Sequence, residues 1–177
     1  MARMRLSRTG WSFQQTPEGG FHAGGVLVGK NSLPDATMHQ ALDTLTISTR
    51  GPGLYEFTRD LVRFVASANI GTGLLTVYCR HTSCSLLIQE NADDDVKTDL
   101  DAFFARLVPQ GMDWVVHTTE GPDDMPAHIK AALTQTSIAI PIADGRPVFG
   151  TWQGIYLFEH RQRPHRRDVV LHIIGET

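Results

Sequence analysis

Three histidines and two loops of opposite charge are where this sequence could do chemistry. His81 follows an apolar segment and precedes Thr82 and Ser83, while His117 and His128 bracket an acidic stretch that contains Glu120, Asp123 and Asp124. Three neutral imidazoles with one position left for water would make an open zinc-type site, and a nearby carboxylate could orient a ring or accept a proton. None of the eight histidines falls in an HExxH or HxH pattern. The plainer reading therefore stays open, in which each ring bonds a backbone group at the end of a strand or helix. Asp124 and His128 are four apart and share a face if a helix begins by Asp124. Such a pair suits general acid–base work, because histidine is the side chain most easily tuned near neutral pH. Its alternative is a helix-starting aspartate beside a solvent-facing histidine.

The second loop holds Arg161, Arg163, Arg166 and Arg167, four guanidinium groups in seven residues, with His165 among them. That density suits bidentate grip on phosphate, although a solvated hairpin tip would look the same. Just before it, Gln153, Ile155, Leu157 and Glu159 face one way if the segment is a strand. Glu159 would then end an apolar row and require a partner, for which an arginine or a metal would serve. The run Gly150-Thr151-Trp152-Gln153-Gly154 suggests close backbone approach beside a flat aromatic surface, or else a core or subunit contact. Glu90 and Asn91 could touch substrate or simply precede a helix. Cys79 and Cys84 sit in apolar strand segments and read as buried thiols; Cys84 stands three residues from His81, but as a nucleophile it would need a lowered pKa, which nothing nearby in the sequence supplies.

The elements that must position these groups are legible from residue 40 onward. Leu42, Leu45 and Ile47 among threonines suit a strand, and Gly51-Pro52-Gly53 turns the chain. Leu54, Thr58, Leu61, Val62 and Val65 fall near helical spacing, with Asn69 and Gly71 as a stop. Strands are expected at 74–80 and 83–89. A helix carrying Val96, Leu100, Phe103 and Leu107 follows, with Asp93, Asp94 and Asp95 at its electropositive start. A short helix at 126–133, a strand through Ile138, Ile140 and Ile142, a turn at Asp144-Gly145, and strands at 153–159 and 168–174 complete the series. About seven strands and three helices without strict alternation predict an α+β fold.

The chain has 177 residues, 41% hydrophobic and 20% charged, which fits one ordinary globular core and excludes a disordered or membrane-spanning composition. Its net charge of −3 argues against a nucleic-acid coat. Residues 1–37 are rich in glycine and carry four Lys/Arg against two Asp/Glu, whereas the rest carries twelve against seventeen. We read 1–37 as a loosely structured extension, with Val26-Leu27-Val28 as a candidate edge strand, and 38–177 as the folded domain. Two cysteines and no apolar leader after Arg3, Arg5 and Arg8 point to a reduced, cytoplasmic protein.

His81-Thr82-Ser83-Cys84-Ser85, Glu90-Asn91, His117, the stretch from Glu120-Gly121-Pro122-Asp123-Asp124-Met125-Pro126-Ala127 to His128-Ile129-Lys130, Gly150-Thr151-Trp152-Gln153-Gly154-Ile155 and Glu159 belong together. In combination they resemble the YjbQ family, the UPF0047 group often labelled secondary thiamine-phosphate synthase. The likeness runs from about residue 39 to the C-terminus and leaves 1–37 without a counterpart. The resemblance implies an α+β fold of mixed, largely antiparallel sheets and a homotrimer with sites near subunit boundaries. It also implies thiamine-phosphate synthase activity, joining a hydroxymethylpyrimidine diphosphate to a thiazole phosphate with release of diphosphate. The expected site has His81, His117 and His128 on a divalent metal, zinc or magnesium, with Asp124, Glu159 and His128 as catalytic groups. Thr82, Asn91, Trp152, Gln153, Arg166 and Arg167 would hold a phosphorylated small molecule. The alternatives are a trimeric binding or regulatory protein for a phosphorylated metabolite and a metal-dependent hydrolase.

Overall fold

Alternation of apolar and polar residues produces the strands on which the fold is built, as the computed structural model of the chain makes plain. It describes residues 5–7, 10–12 and 37–177, and the chain divides into two units, Met1–Pro34 and Asp35–Thr177. In the first unit β1 (Arg5–Ser7) pairs antiparallel with β2 (Gly10–Ser12). Val26-Leu27-Val28 lies outside the described residues.

The second unit runs β3 (Met38–Ser48), β4 (Gly53–Glu56), α1 (Thr58–Ser67), β5 (Thr72–Cys79), β6 (Cys84–Glu90), α2 (Asp94–Leu107), α3 (Asp124–Leu133), β7 (Ser137–Ala143), β8 (Arg146–Pro147), β9 (Gln153–Glu159) and β10 (Arg166–Glu176). Two sheets result, ordered β3-β10-β5-β7-β8 and β4-β9-β6. Every pairing is antiparallel, so the fold is α+β with three helices.

The core lies between the inner faces of the two sheets. Val169, Leu171 and Ile173 of β10, Leu75 and Val77 of β5, and Ile138, Ile140 and Ile142 of β7 come from one sheet; Leu86, Ile155 and Leu157 come from the other, and Leu61 and Val65 of α1 join them. Complete burial of side chains such as Leu61 and Leu171 favours the fold by about 1.5–3 kcal/mol each. The opposite face of β9 is covered too, because Phe158 meets Phe104 of α2 edge to face at 5.2 Å. Asp93 caps α2 by accepting the Asp95 N–H at 2.9 Å, as the acidic run suggested.

One expectation is corrected. Leu54 and Tyr55 are not helical but pair in β4 with Phe158 and Leu157, because the edge of β9 offers backbone partners that outweigh local spacing. The helix starts only at Thr58, whose hydroxyl accepts the Ile155 N–H at 3.0 Å. Among the described residues, no helix packs on the outer face of the five-stranded sheet, where Leu42, Leu74, Tyr78 and Ile174 are exposed.

Candidate functional site

Helix α3 begins at Asp124, so Asp124 and His128 do lie one turn apart on the same face. The loop before it returns His117 to that face. His117 Nε2 stands 2.7 Å from Asp124 Oδ2, His128 Nε2 stands 3.5 Å from the same oxygen, and the two rings lie 5.5 Å apart. Asp124 is buried while both imidazoles are accessible, and one donor atom from each residue fits within 4.8 Å of the other two. Among the described residues, this is the group of three found with such spacing.

Hydrogen bonding decides which nitrogens are available. His128 Nδ1 is 2.9 Å from the Thr82 carbonyl, which can only accept, so Nδ1 carries a proton and in the neutral ring the lone pair is on Nε2, on the side of the carboxylate. The same oxygen can only accept from His117 Nε2 at 2.7 Å, so without a metal that nitrogen donates a proton to Asp124, and a cation held by the trio would take that proton's place. Two imidazoles and a carboxylate are a donor set that suits zinc better than magnesium, which prefers oxygen throughout. The residues present therefore fit a divalent metal, with Asp124 as the third donor.

His81 stands apart from this trio. Its Nε2 accepts the Asp168 backbone N–H at 2.7 Å, so in the neutral ring the remaining nitrogen carries the proton and offers no lone pair. Burial, reinforced by Arg167, lowers its pKa and favours that neutral form. His81 and His128 nevertheless line one hollow of about 340 Å³ together with Thr82 and Cys79. A second hollow of about 270 Å³, walled by Met112, Val115, Pro122, Met125 and Pro126, opens beside His117.

Arg161, grouped by the sequence with the arginines suited to phosphate, is instead taken by carboxylates. Its guanidinium bonds Asp124 Oδ1, reaches Asp123 Oδ2 at 3.0 Å through Nε and the Glu120 carbonyl at 2.9 Å through Nη2. The Gln162 N–H also donates to Asp123 at 2.9 Å. Burial would raise the Asp123 carboxyl, but the Gln162 N–H and Arg161 outweigh it and hold the group below the usual carboxylate range. The arginine-rich loop is thereby pinned against the start of α3.

Glu159 and Arg167 are joined to each other. Arg167 Nε and Nη2 donate to the two carboxylate oxygens at 2.7 and 2.6 Å, and Thr49 Oγ1 adds a bond at 2.8 Å. The partner that Glu159 required is thus an arginine. Burial acts to raise the Glu159 carboxyl, yet Arg167, the Arg161 N–H and Thr49 lower it overall. Arg163 and Arg166 stay exposed.

Asn91, Trp152 and Gln153 gather at the far end of β9, where the Asn91 N–H donates to the Trp152 carbonyl at 2.9 Å and the Gln153 side chain accepts from Gly150 at 2.8 Å. Six strand steps separate Gln153 from Glu159, roughly 20 Å. Within one chain the expected substrate contacts therefore do not converge: Thr82 lies by His128, Asn91, Trp152 and Gln153 lie at the far end of β9, Arg167 is bound to Glu159, and Arg166 is exposed.

A pair of antiparallel sheets around one core, with an imidazole–carboxylate trio at the start of a helix, defines a small α+β protein with a candidate metal centre. The chain belongs to the YjbQ (UPF0047) family: the family described as UPF0047 protein YjbQ-like matches residues 43–176. It is similar to a UPF0047 protein of Synechocystis sp., with 55% identity over 80% of this chain and 97% of that protein. The UPF0047 protein YjbQ of Escherichia coli O157:H7 is 40% identical over 75% of this chain and 96% of that one. A solved structure of an uncharacterized conserved protein of the family from Clostridium acetobutylicum is 32% identical. It covers 74% of this chain and 98% of its own, with a TM-score of 0.68.

Proposed function

We propose that this chain is a metal-dependent enzyme acting on a phosphorylated small molecule, with His117, Asp124 and His128 as the metal's donors. The observation that carries the reading is the convergence of three donor atoms within 4.8 Å on one accessible rim. A bound divalent cation would supply charge neutralisation at a phosphate or diphosphate leaving group. The chain's own residues do the rest. Thr82 fixes the His128 tautomer, Arg161 holds Asp124 in place, and the hollow beside His117 offers an apolar wall to a substrate ring.

Among the described residues, Arg163 and Arg166 are the members of the basic loop not engaged with carboxylates, and they are the anion-binding candidates. Thiamine-phosphate synthesis from a hydroxymethylpyrimidine diphosphate and a thiazole phosphate is one reaction of this class, since departure of diphosphate is its demanding step. Hydrolysis of a phosphate or amide is the second reading, favoured by the two-imidazole, one-carboxylate set typical of hydrolytic zinc sites. Assembly into a homotrimer belongs to the same proposal, supported by the exposed apolar face at Leu42, Leu74, Tyr78 and Ile174.

Calorimetric titration of zinc into protein made without a histidine tag tests the metal. One ion per chain, lost in His117→Ala and in His128→Ala, is the expected result. Absence of binding would remove the reading. Product assays on the two thiamine precursors and on simple phosphate esters then separate synthesis from hydrolysis. Saturable ligand binding without turnover would point instead to a regulatory protein.

A further inference from the structure

Cys79 and Cys84 take no part in that chemistry, yet they face each other. Cys79 ends β5 in the five-stranded sheet and Cys84 begins β6 in the three-stranded one. Their sulfurs are 3.3 Å apart, and Cys79 Sγ is 3.7 Å from the Cys84 carbonyl oxygen. Both residues are buried and reduced. Cys79 is only 1% exposed, but it is among the residues that line the hollow shared by His81, Thr82 and His128, so only the thickness of that wall separates a small reagent in the hollow from the pair.

We propose that Cys79 and Cys84 are a redox dithiol that a hydroperoxide converts to an intrachain disulfide, and that this closure reorients His128 through the Thr82 carbonyl. In the first step the Cys79 thiolate attacks one oxygen of the peroxide. The O–O bond breaks, the other oxygen leaves as an alcohol or water after taking a proton, and Cys79 becomes a sulfenic acid. The Cys84 sulfur then attacks the Cys79 sulfur, the S–O bond breaks, and the hydroxide leaves as water with the Cys84 proton. Two electrons pass from the thiols to the peroxide.

The geometry requires little movement. A disulfide bond is about 2.0 Å long, so the sulfurs need to approach by about 1.3 Å. The strand ends are tied down, since the Cys79 N–H donates to Thr136 and the Leu86 N–H to Gln135. The intervening residues 80–83 must therefore absorb the change. Thr82 is among them, and its carbonyl lies 2.9 Å from His128 Nδ1, which passes the displacement to the ring.

The test uses the reduced full-length protein in a chelator, so neither readout depends on a metal. After treatment with hydrogen peroxide, quenching and alkylation under denaturing conditions, intact mass should fall by about 2 Da, the mass of two hydrogens, with no alkylatable thiol left. Cys79→Ser and Cys84→Ser should not show that loss. Wild-type protein that keeps both thiols, or gains oxygen on one sulfur while the other stays alkylatable, would overturn the proposal; this holds even where a serine variant fails to fold. Histidine-ring NMR reads the second half. Oxidation should move the His128 resonance and leave that of His172, on the outer sheet face, in place. An unmoved His128 in protein whose mass shows the disulfide would refute the coupling.

Discussion

Arg167 of the five-stranded sheet reaches across the core to Glu159 of the three-stranded sheet, with its Nε and Nη2 each on a different carboxylate oxygen. Both side chains are almost wholly buried. An ion pair so placed costs desolvation, and the remaining bonds to Glu159 from Thr49 and from the His160 and Arg161 N–H groups offset part of it. These are residues whose types suggest catalysis and phosphate binding, but whose contacts are those of a clasp between sheets.

Arg167→Ala should therefore destabilise the protein by roughly 3–5 kcal/mol, because it leaves a buried carboxylate without its counter-charge. Urea unfolding measures this. Replacing Arg167 and Glu159 together by apolar residues should cost less than Arg167→Ala alone. A variant that lost ligand binding at unchanged stability would instead return Arg167 to the substrate site.

The division among the histidines is testable by zinc affinity. His117→Ala and His128→Ala should each weaken binding by more than about 100-fold, beyond the 10–100-fold typical of losing a residue that only supports a ligand. His81→Ala should leave affinity within about threefold, since His81 stands outside the His117–Asp124–His128 group and its Nε2 is occupied by the Asp168 N–H. Equal losses at all three positions would put His81 back among the ligands.

Acid should unfold this protein partly through His160. Its ring packs against Phe158 at 4.4 Å, bonds Ser85 through Nε2 and has a buried Nδ1 without a hydrogen-bond partner among the described residues. Burial, aided by Lys130, pushes its pKa down to about 3. In the unfolded chain the ring titrates near ~6.5. Between those values the unfolded state binds a proton that the folded state refuses, so stability rises with pH across the window and is lost as pH falls. At about pH 4.5 the loss amounts to roughly 2–3 kcal/mol. Urea midpoints at neutral and acid pH should show a shallower decline for His160→Gln. An identical slope would mean the ring titrates normally.

Gly73 and Gly175 are direct partners in the β5–β10 ladder. A Cβ on Gly175 would lie 2.1 Å from the Thr72 carbonyl oxygen and 2.6 Å from the Gly73 Cα, and one on Gly73 would lie 2.4 Å from the Ile174 oxygen. These neighbours are backbone and cannot swing aside. Gly175→Ala should cost about 1–3 kcal/mol or more, in the range of overpacked cores. Thermal unfolding with little change in midpoint would contradict the close approach.

How much of this could be read from the sequence varies with the distance over which a contact forms. Ile138, Ile140 and Ile142 announced β7 because alternation is written locally, and the fourfold spacing of Asp124 and His128 announced their shared face. Glu159 at the end of an apolar row announced the need for a partner, though not that Arg167 of the opposite sheet would supply it. His117 sits in a loop with no period to read, and Arg161 reaches Asp124 across 37 residues, so neither contact had a local signature. Leu54 went the other way: its helical spacing was real, and pairing with β9 overrode it.

Strand order has a consequence for how the chain is made. β10 lies between β3 and β5 and is hydrogen-bonded to both along most of its length. A ribosome that has delivered everything up to residue 165 has therefore produced two strands whose facing edges have nothing between them. The central slot closes only when 166–176 emerge, which makes assembly of this sheet a late event dominated by contacts far apart in sequence. Until then the nascent chain carries open strand edges, and a pulse of newly synthesised protein should be protease-sensitive up to that point and resistant soon after.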